Sequence, residues 1–341
     1  MIISRAPLRV SFFGGGTDFP EYFRTEGGAV LATAIDKFSY VTASPFQSSL
    51  FDYAVRVSYS KGELVRAIDE IQHPVFRECL RLLGLERDIE LHTVADLPAF
   101  TGLGSSSTFT VSLLDALHRF RGEAVPPLQL AHEAVHIERN VLKESVGFQD
   151  QTTAAVGGFN VIEFSGEADI QVHPLNLSAA RLAELESHLL VVYTGLKRRA
   201  AEIESRKLKS LELNRGSLRA MRAMVDRGRD LLVDGGSLAA FGGLLHESWL
   251  AKRALDAAVS NTTIDELYTR AREAGAWGGK VLGAGGGGFL LLVAPPERHA
   301  ALRRAFADSY QLDFRLNAPG AQLVFGNGGC LPPRAVERTD A

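Results

Sequence analysis

The chain has 341 residues, 46% of them hydrophobic and 23% charged, with a formal net charge of −3. That length accommodates two domains with separate cores, and the charge gives no reason to expect a nucleic acid or a membrane surface as partner. Two cysteines, Cys79 and Cys330, offer neither a disulfide framework nor metal-ligand spacing; with no apolar leader and no run near membrane-spanning length, a reducing cytoplasm is expected.

The first strand is predicted over 8–13, running into Gly14-Gly15-Gly16-Thr17-Asp18. Further strands are read at 29–34, 40–43 and 55–59, then helices over 61–72 and 74–84, the second stopping at Gly84. A strand at 89–94 delivers the chain to a loop at 97–104. From Ser106 the positions Val111, Leu114 and Leu117 keep helical spacing to Phe120. Pro126-Pro127 opens another helix, on which Leu130, Ala134, Ile137 and Val141 form one apolar stripe. Ile162 and Phe164 belong to a strand.

A second unit is expected from about 186, giving domains 1–185 and 186–341. It reads as a strand at 189–193, helices over 197–234, 236–258 and 264–274, and a strand at 289–293. A helix at 296–308 and strands at 312–316 and 321–325 come next, before a tail beyond Gly328 that is expected to fray.

Chemistry concentrates in a few segments. Thr101-Gly102-Leu103-Gly104-Ser105-Ser106-Ser107-Thr108 is a glycine pair followed by hydroxyls at a helix start. Its inward-pointing N–H groups and the positive helix end make a phosphate cradle, with no Lys of the P-loop kind. Four successive glycines at 285–288 suit backbone that approaches a ligand or another loop closely.

Asp150, between Gln149 and Gln151, has the chemistry to take or orient the proton of a substrate hydroxyl; capping a helix is its structural alternative. Glu138 neighbours the apolar stripe and is either a hard oxygen ligand for magnesium or a solvated charge paired with Arg139 or Lys143. Arg9 alternates with apolar neighbours, which suits a guanidinium that reaches an anion or an edge-strand charge. Asp18 suits sugar hydroxyls or a turn. Lys197, Arg198 and Arg199 come after a strand and provide cations for a remote phosphate or a solvated helix start.

Arg5–Asp18, Leu97–Ser107 and Lys280–Gly288, in this order, resemble the three signatures of the galactokinase, homoserine kinase, mevalonate kinase and phosphomevalonate kinase (GHMP) superfamily. The resemblance covers about residues 3–327. It implies an α+β fold: an N-terminal ribosomal-protein-like domain with a left-handed βαβ crossover, then a ferredoxin-like C-terminal domain. It implies ATP and Mg2+ as cofactors, with residues 101–108 around the triphosphate, Ser106 and Glu138 on the metal, and Asp150 and Arg9 as the catalytic pair. Gly15, Gly16, Thr17, Asp18, Gln149 and Arg198 are expected at the acceptor.

Gly15 and Gly16 stand where many sugar kinases of the superfamily carry Glu and His. The Gly-Gly-Gly-Thr-Asp form, with Gly147-Phe148-Gln149-Asp150-Gln151, is similar to the branch that phosphorylates the anomeric hydroxyl of D-glycero-D-manno-heptose 7-phosphate. Kinases of fucose- or galactose-like sugars share parts of the pattern. An ATP-dependent decarboxylase and a sensing regulator are the other occupants of such a fold, and a homodimer is a further expectation. A dehydrogenase is disfavoured because glycines 283–288 precede a strand instead of linking strand to helix.

Overall fold

A computed structural model describes residues 1–198 and 200–326. Arg199, Cys330 and the tail after Gly328 lie outside the described residues. The chain starts as β1 (Ile2–Phe13), turns through the first glycine loop into α1 (Pro20–Glu26), and returns as β2 (Gly28–Pro45). The two strands expected at 29–34 and 40–43 are thus halves of one long strand. Its first half pairs with β6 and its second with β5, while β1 runs along both.

β3 (Val55–Ser58) and β4 (Gly62–Val65) form an antiparallel hairpin, and α2 (Pro74–Leu82) leads to β5 (Ile89–Ala95), which lies parallel to β3. The helix expected over 61–72 is therefore corrected to strand β4 and a single 3-10 turn at Ile68–Glu70. Val65 pairs with Val55 and is 6% exposed, so strand pairing and burial override the helical preference of Glu63, Leu64 and Ala67.

After the phosphate-type loop come α3 (Ser105–Phe120), α4 (Pro127–Val135) and α5 (Gln149–Val156). The expected helix through Val141 stops early, because His136–Val141 winds as a π-turn. One additional residue in that turn rotates the side chains it carries: Ile137 stays buried, Glu138 becomes fully buried, and Val141, expected in the stripe, is 37% exposed. β6 (Phe159–Phe164), β7 (Ile170–Pro174) and α6 (Ala179–Ser187) close the first unit.

The second unit begins at β8 (Leu189–Tyr193). The long helix expected over 197–234 is interrupted at Ser210 into α7 (Ala200–Lys209) and α8 (Leu211–Val233), and α9 (Leu238–Arg253) ends before 258. The chain continues through α10 (Thr262–Glu273), β9 (Gly278–Val281), β10 (Phe289–Val293), α11 (Pro296–Ala305) and β11 (Gln311–Leu312); β11 is shorter than the strand expected at 312–316. The sheet order β11-β8-β10-β9, antiparallel throughout, is that of a ferredoxin-like unit.

The 185/186 boundary falls in the last turn of α6. β12 (Gln322–Gly326) crosses back from the second unit and pairs with β1, at the edge of the eight-stranded sheet. One buried cluster also joins the units: Leu8, Val10 and Phe12 of β1 share it with Val191, Phe241 and Leu291. Lys280 of β9 donates to the Phe12 carbonyl at 2.9 Å, so the two glycine loops nearby are held from a common base.

Candidate active site

Arg9 and Asp150, 141 positions apart, meet in a bidentate ion pair: Nε donates to Oδ1 and Nη2 to Oδ2, each at 2.7 Å. The alternation of β1 turns Arg9 inward, where its side chain is 4% exposed, while that of Asp150 is 24% exposed and so reachable. A third donor, Nη1, reaches the Gly102 carbonyl at 2.6 Å. Asp150 lies in the first turn of α5, which begins at Gln149, so it is not the cap of that helix.

The loop before α3 presses against this pair. A side chain at Gly104 would come within 3.3 Å of both Arg9 Cγ and Asp150 Oδ2, and its φ of +79° is itself a glycine conformation. Gly104 ends the loop, and the N–H groups of Ser105, Ser106 and Ser107 then fall in the helical turn that has no internal acceptors. The Ser105 hydroxyl has no partner among the described residues. Ser106 is exposed. Thr108 and Leu103 point the other way: Thr108 donates to the Pro7 carbonyl at 3.1 Å, and Leu103 is fully buried with its carbonyl on the Arg9 N–H. Thr101 is buried and donates to the Pro98 carbonyl at 3.1 Å. The side chains of these three are thus turned away from the loop's open side, and the Thr108 N–H is itself taken by the Gly104 carbonyl at 2.9 Å.

The third glycine segment packs on this loop backbone to backbone. A Cβ on Gly102 would lie 2.6 Å from the Leu282 carbonyl oxygen, and one on Gly288 2.4 Å from that of Thr101. Lys252 of α9 donates to the carbonyls of Val281 and Gly283, and its buried ammonium is pushed well below the usual lysine range by desolvation first. Lys280 is likewise buried, and desolvation, then Arg9 and Lys207, bring it down to about 7. Neither lysine was singled out in the sequence. An ionisable residue inside an apolar strand, as at 280, is the signal that points to it.

Glu138 is fully buried by the π-turn. It accepts from Thr110 Oγ1 at 2.6 Å, Ser107 Oγ at 2.8 Å and Gln151 Nε2 at 2.5 Å. Burial without a cationic partner raises its carboxyl to about 7, the three donors only partly offsetting the desolvation. Within the serine run the hydroxyl that reaches it is that of Ser107; Ser106, expected beside it, is exposed. The solvated-charge alternative is excluded by the burial. A carboxylate in a nest of neutral hydroxyls, next to a run of serines, fits a magnesium ion, which takes one or two protein oxygens and keeps waters.

The first glycine loop is tied down by its own polar residues. Thr17 donates to the carbonyls of Gly14 and Ala29 at 2.8 and 2.9 Å. Asp18 is 1% exposed and accepts from the N–H groups of Gly16 at 2.9 Å and Gln149 at 3.2 Å. Gly147 leaves the room it needs, since a Cβ there would sit 2.0 Å from Asp18 Oδ2. Desolvation raises Asp18 to about 6, with Asp150 adding to the rise. Asp18 thus fastens the first loop to the start of α5, and Gly15, Gly16 and Gln149 form the wall beside Asp150. Lys197 and Arg198 are exposed, Arg198 flanking Gly286.

Loops from both units thus surround an acid–arginine pair beside a helix N-terminus. Compared with known families, residues 64–158 match the GHMP kinases N terminal domain and residues 220–312 the GHMP kinases C terminal. The chain belongs to the GHMP kinase superfamily and is an ATP-dependent phosphotransferase with an alcohol acceptor.

A D-glycero-alpha-D-manno-heptose 7-phosphate kinase of Campylobacter jejuni is 29% identical over 339 residues, covering 94% of this chain and 98% of its own. The crystal structure of a D-glycero-D-manno-heptose 1-phosphate kinase from Bacteroides thetaiotaomicron superposes with a TM-score of 0.77 at 25% identity, covering 96% and 100%. A mevalonate kinase of Pyrococcus furiosus is 28% identical over 321 residues, covering 86% and 89%. No helix among the described residues is long and apolar enough to cross a membrane.

Proposed function

We propose that this kinase phosphorylates a sugar, transferring the γ-phosphoryl group of ATP to the anomeric C1 hydroxyl of D-glycero-D-manno-heptose 7-phosphate to give the 1,7-bisphosphate. The observation that carries the reading is the Arg9–Asp150 pair, set between the α3 N-terminus and the first glycine loop. The likeness to heptose phosphate kinases and the Gly14–Asp18 sequence support heptose over other sugars.

Catalysis here is positioning and charge stabilisation. The N–H groups of Ser105–Ser107 hold phosphate oxygens. Asp150 orients the acceptor hydroxyl and receives its proton as the oxygen bonds to the γ-phosphorus and the bond to the β–γ bridging oxygen breaks, releasing ADP. Arg9 holds Asp150 by two hydrogen bonds, and behind it Lys280 and Lys252, whose charged forms burial disfavours, tie the floor of the site together through the carbonyls of Phe12, Val281 and Gly283. Glu138 with the serine hydroxyls would hold magnesium, which when bound neutralises phosphate charge. Arg198 is the proposed contact for the remote phosphate. Lys207 also lines a cavity with Gly16 and Phe19, but it is already paired with Glu204 of the same cavity at 2.6 Å, which leaves Arg198 as the proposed contact.

The test is ADP release with heptose 7-phosphate, mannose, fucose, galactose and mevalonate, followed by phosphorus NMR of the product. The heptose phosphate should be the best acceptor, with the new signal on C1. Faster turnover of fucose or galactose would reject heptose, and preference for mevalonate would reject a sugar altogether.

A further inference from the structure

We propose that the Ser11 hydroxyl, the side-chain amide nitrogen of Gln149 and the space above Gly15 form a notch that receives a second hydroxyl of the acceptor, the one on the carbon next to the reacting centre. The inference rests on the acceptor being a sugar, not on which sugar it is.

Ser11 lies two positions beyond Arg9 on β1, so both side chains face the same side of the strand. It is 5% exposed, and its hydroxyl has no partner among the described residues. The Gln149 amide is also under-satisfied, its Oε1 having no partner among the described residues, and its Nε2 is the atom turned toward Gly15. Polar atoms left so cost free energy that a ligand recovers on binding.

The two groups border one space. A carbon added at Gly15 would lie 3.5 Å from Gln149 Nε2 and 3.8 Å from Ser11 Oγ. Gly14 and Gly16 have φ of +82° and +101° and need glycine for their backbone, whereas Gly15 is not among the positive-φ residues. Conformation therefore does not require glycine at 15; the vacant volume is what its missing side chain provides.

The atoms present dictate the ligand chemistry. Gln149 Nε2, the atom that borders the space, only donates, while the Ser11 hydroxyl both donates and accepts. A single alcohol satisfies both, accepting from the glutamine nitrogen and donating to the serine. Ser11 shares a strand face with Arg9, which grips Asp150, so we assign an alcohol in the notch to the carbon beside the one being phosphorylated. A sugar with vicinal hydroxyls meets the requirement, and its 2-deoxy analogue does not.

Ser11→Ala and Gly15→Ala are compared with the parent enzyme on D-mannose and on 2-deoxy-D-glucose, which is mannose lacking the 2-hydroxyl, with heptose 7-phosphate in parallel. The parent should prefer mannose by roughly tenfold or more in kcat/KM, about the worth of one or two hydrogen bonds. Each variant should lose about that factor on mannose, none on the deoxy sugar, and keep its KM for ATP. Gly15→Ala leaves β1 untouched and serves if Ser11→Ala melts early.

Equal losses on both sugars, or a Ser11→Ala enzyme as active on mannose as the parent, would overturn the notch. If the parent uses mannose but not heptose 7-phosphate, the proposed acceptor fails and the mannose pair still decides the notch. If it uses heptose 7-phosphate but not mannose, the variants are read on heptose 7-phosphate, where an undiminished kcat/KM overturns the notch; if it uses neither sugar, both fail.

Discussion

Arg9 hydrogen-bonds through three nitrogens to partners 93 and 141 positions away, and such a side chain cannot be replaced by its charge alone. Arg9→Lys keeps a cation but loses the fork that fixes both carboxylate oxygens. It should lower kcat by at least tenfold with little change in the thermal midpoint, since the ammonium still neutralises Asp150. Asp150→Asn removes the proton acceptor and should cost on the order of 10²–10⁴ in turnover while ATP binding persists, read as single-turnover rate against nucleotide titration; near-normal turnover would reject the assignment. Glu138→Gln keeps the hydrogen-bonding shape and removes the buried charge. Desolvation of that charge dominates its raised pKa, so the variant should melt higher at pH 8 yet need far more magnesium for half-maximal rate. A variant with unchanged magnesium demand would take Glu138 out of the metal site.

At the scale of elements, the glycine loops behave as interlocking main chain. Gly102, Gly283 and Gly288 each leave no space for a Cβ against the facing backbone, and all three have positive φ. Gly288→Ala should push the Thr101–Gly104 loop away, raising KM for ATP by tenfold or more and costing about 1–3 kcal/mol of stability; nucleotide titration and denaturant melts check both. The π-turn is the second device at this scale. Removing its additional residue, for instance by deleting Asn140, should restore a regular helix, swing Glu138 toward solvent and abolish magnesium-dependent activity.

For the whole molecule, Lys280 is the telling group, because it bridges β9 to β1 across the two units. Its folded pKa lies near 7, against 10.5 for the free side chain. Between those values the unfolded chain binds a proton that the folded one does not, so this group's contribution to stability rises with pH. Parent minus Lys280→Met stability should therefore shift in favour of the parent from pH 7 to pH 9, at up to about 1.4 kcal/mol per pH unit. A flat difference in denaturant melts would show that Lys280 is charged throughout. β12 acts at the same scale: it covers the edge of β1, the strand that carries Arg9 and Ser11. Truncation before Gln322 should expose that edge and lower both stability and activity.

The sequence by itself pointed to the glycine loops, the serine run and Asp150, because the proposed phosphate binding and proton transfer demand particular residue types at short spacing. It also determined most strands and helices, whose periodicity is local. The 61–72 segment escaped it because pairing of β4 with β3 outweighs helical preference, and the burial of Glu138 escaped it because one π-turn shifts the phase of the helix. Only the tertiary structure decided that Arg9 grips Asp150, that Ser107 reaches Glu138, that Asp18 is consumed by main-chain donors, and that Ser11 faces a vacancy at Gly15. Those contacts join strand, loop and helix over long chain separations, where the free energy depends on packing geometry and no local pattern records it.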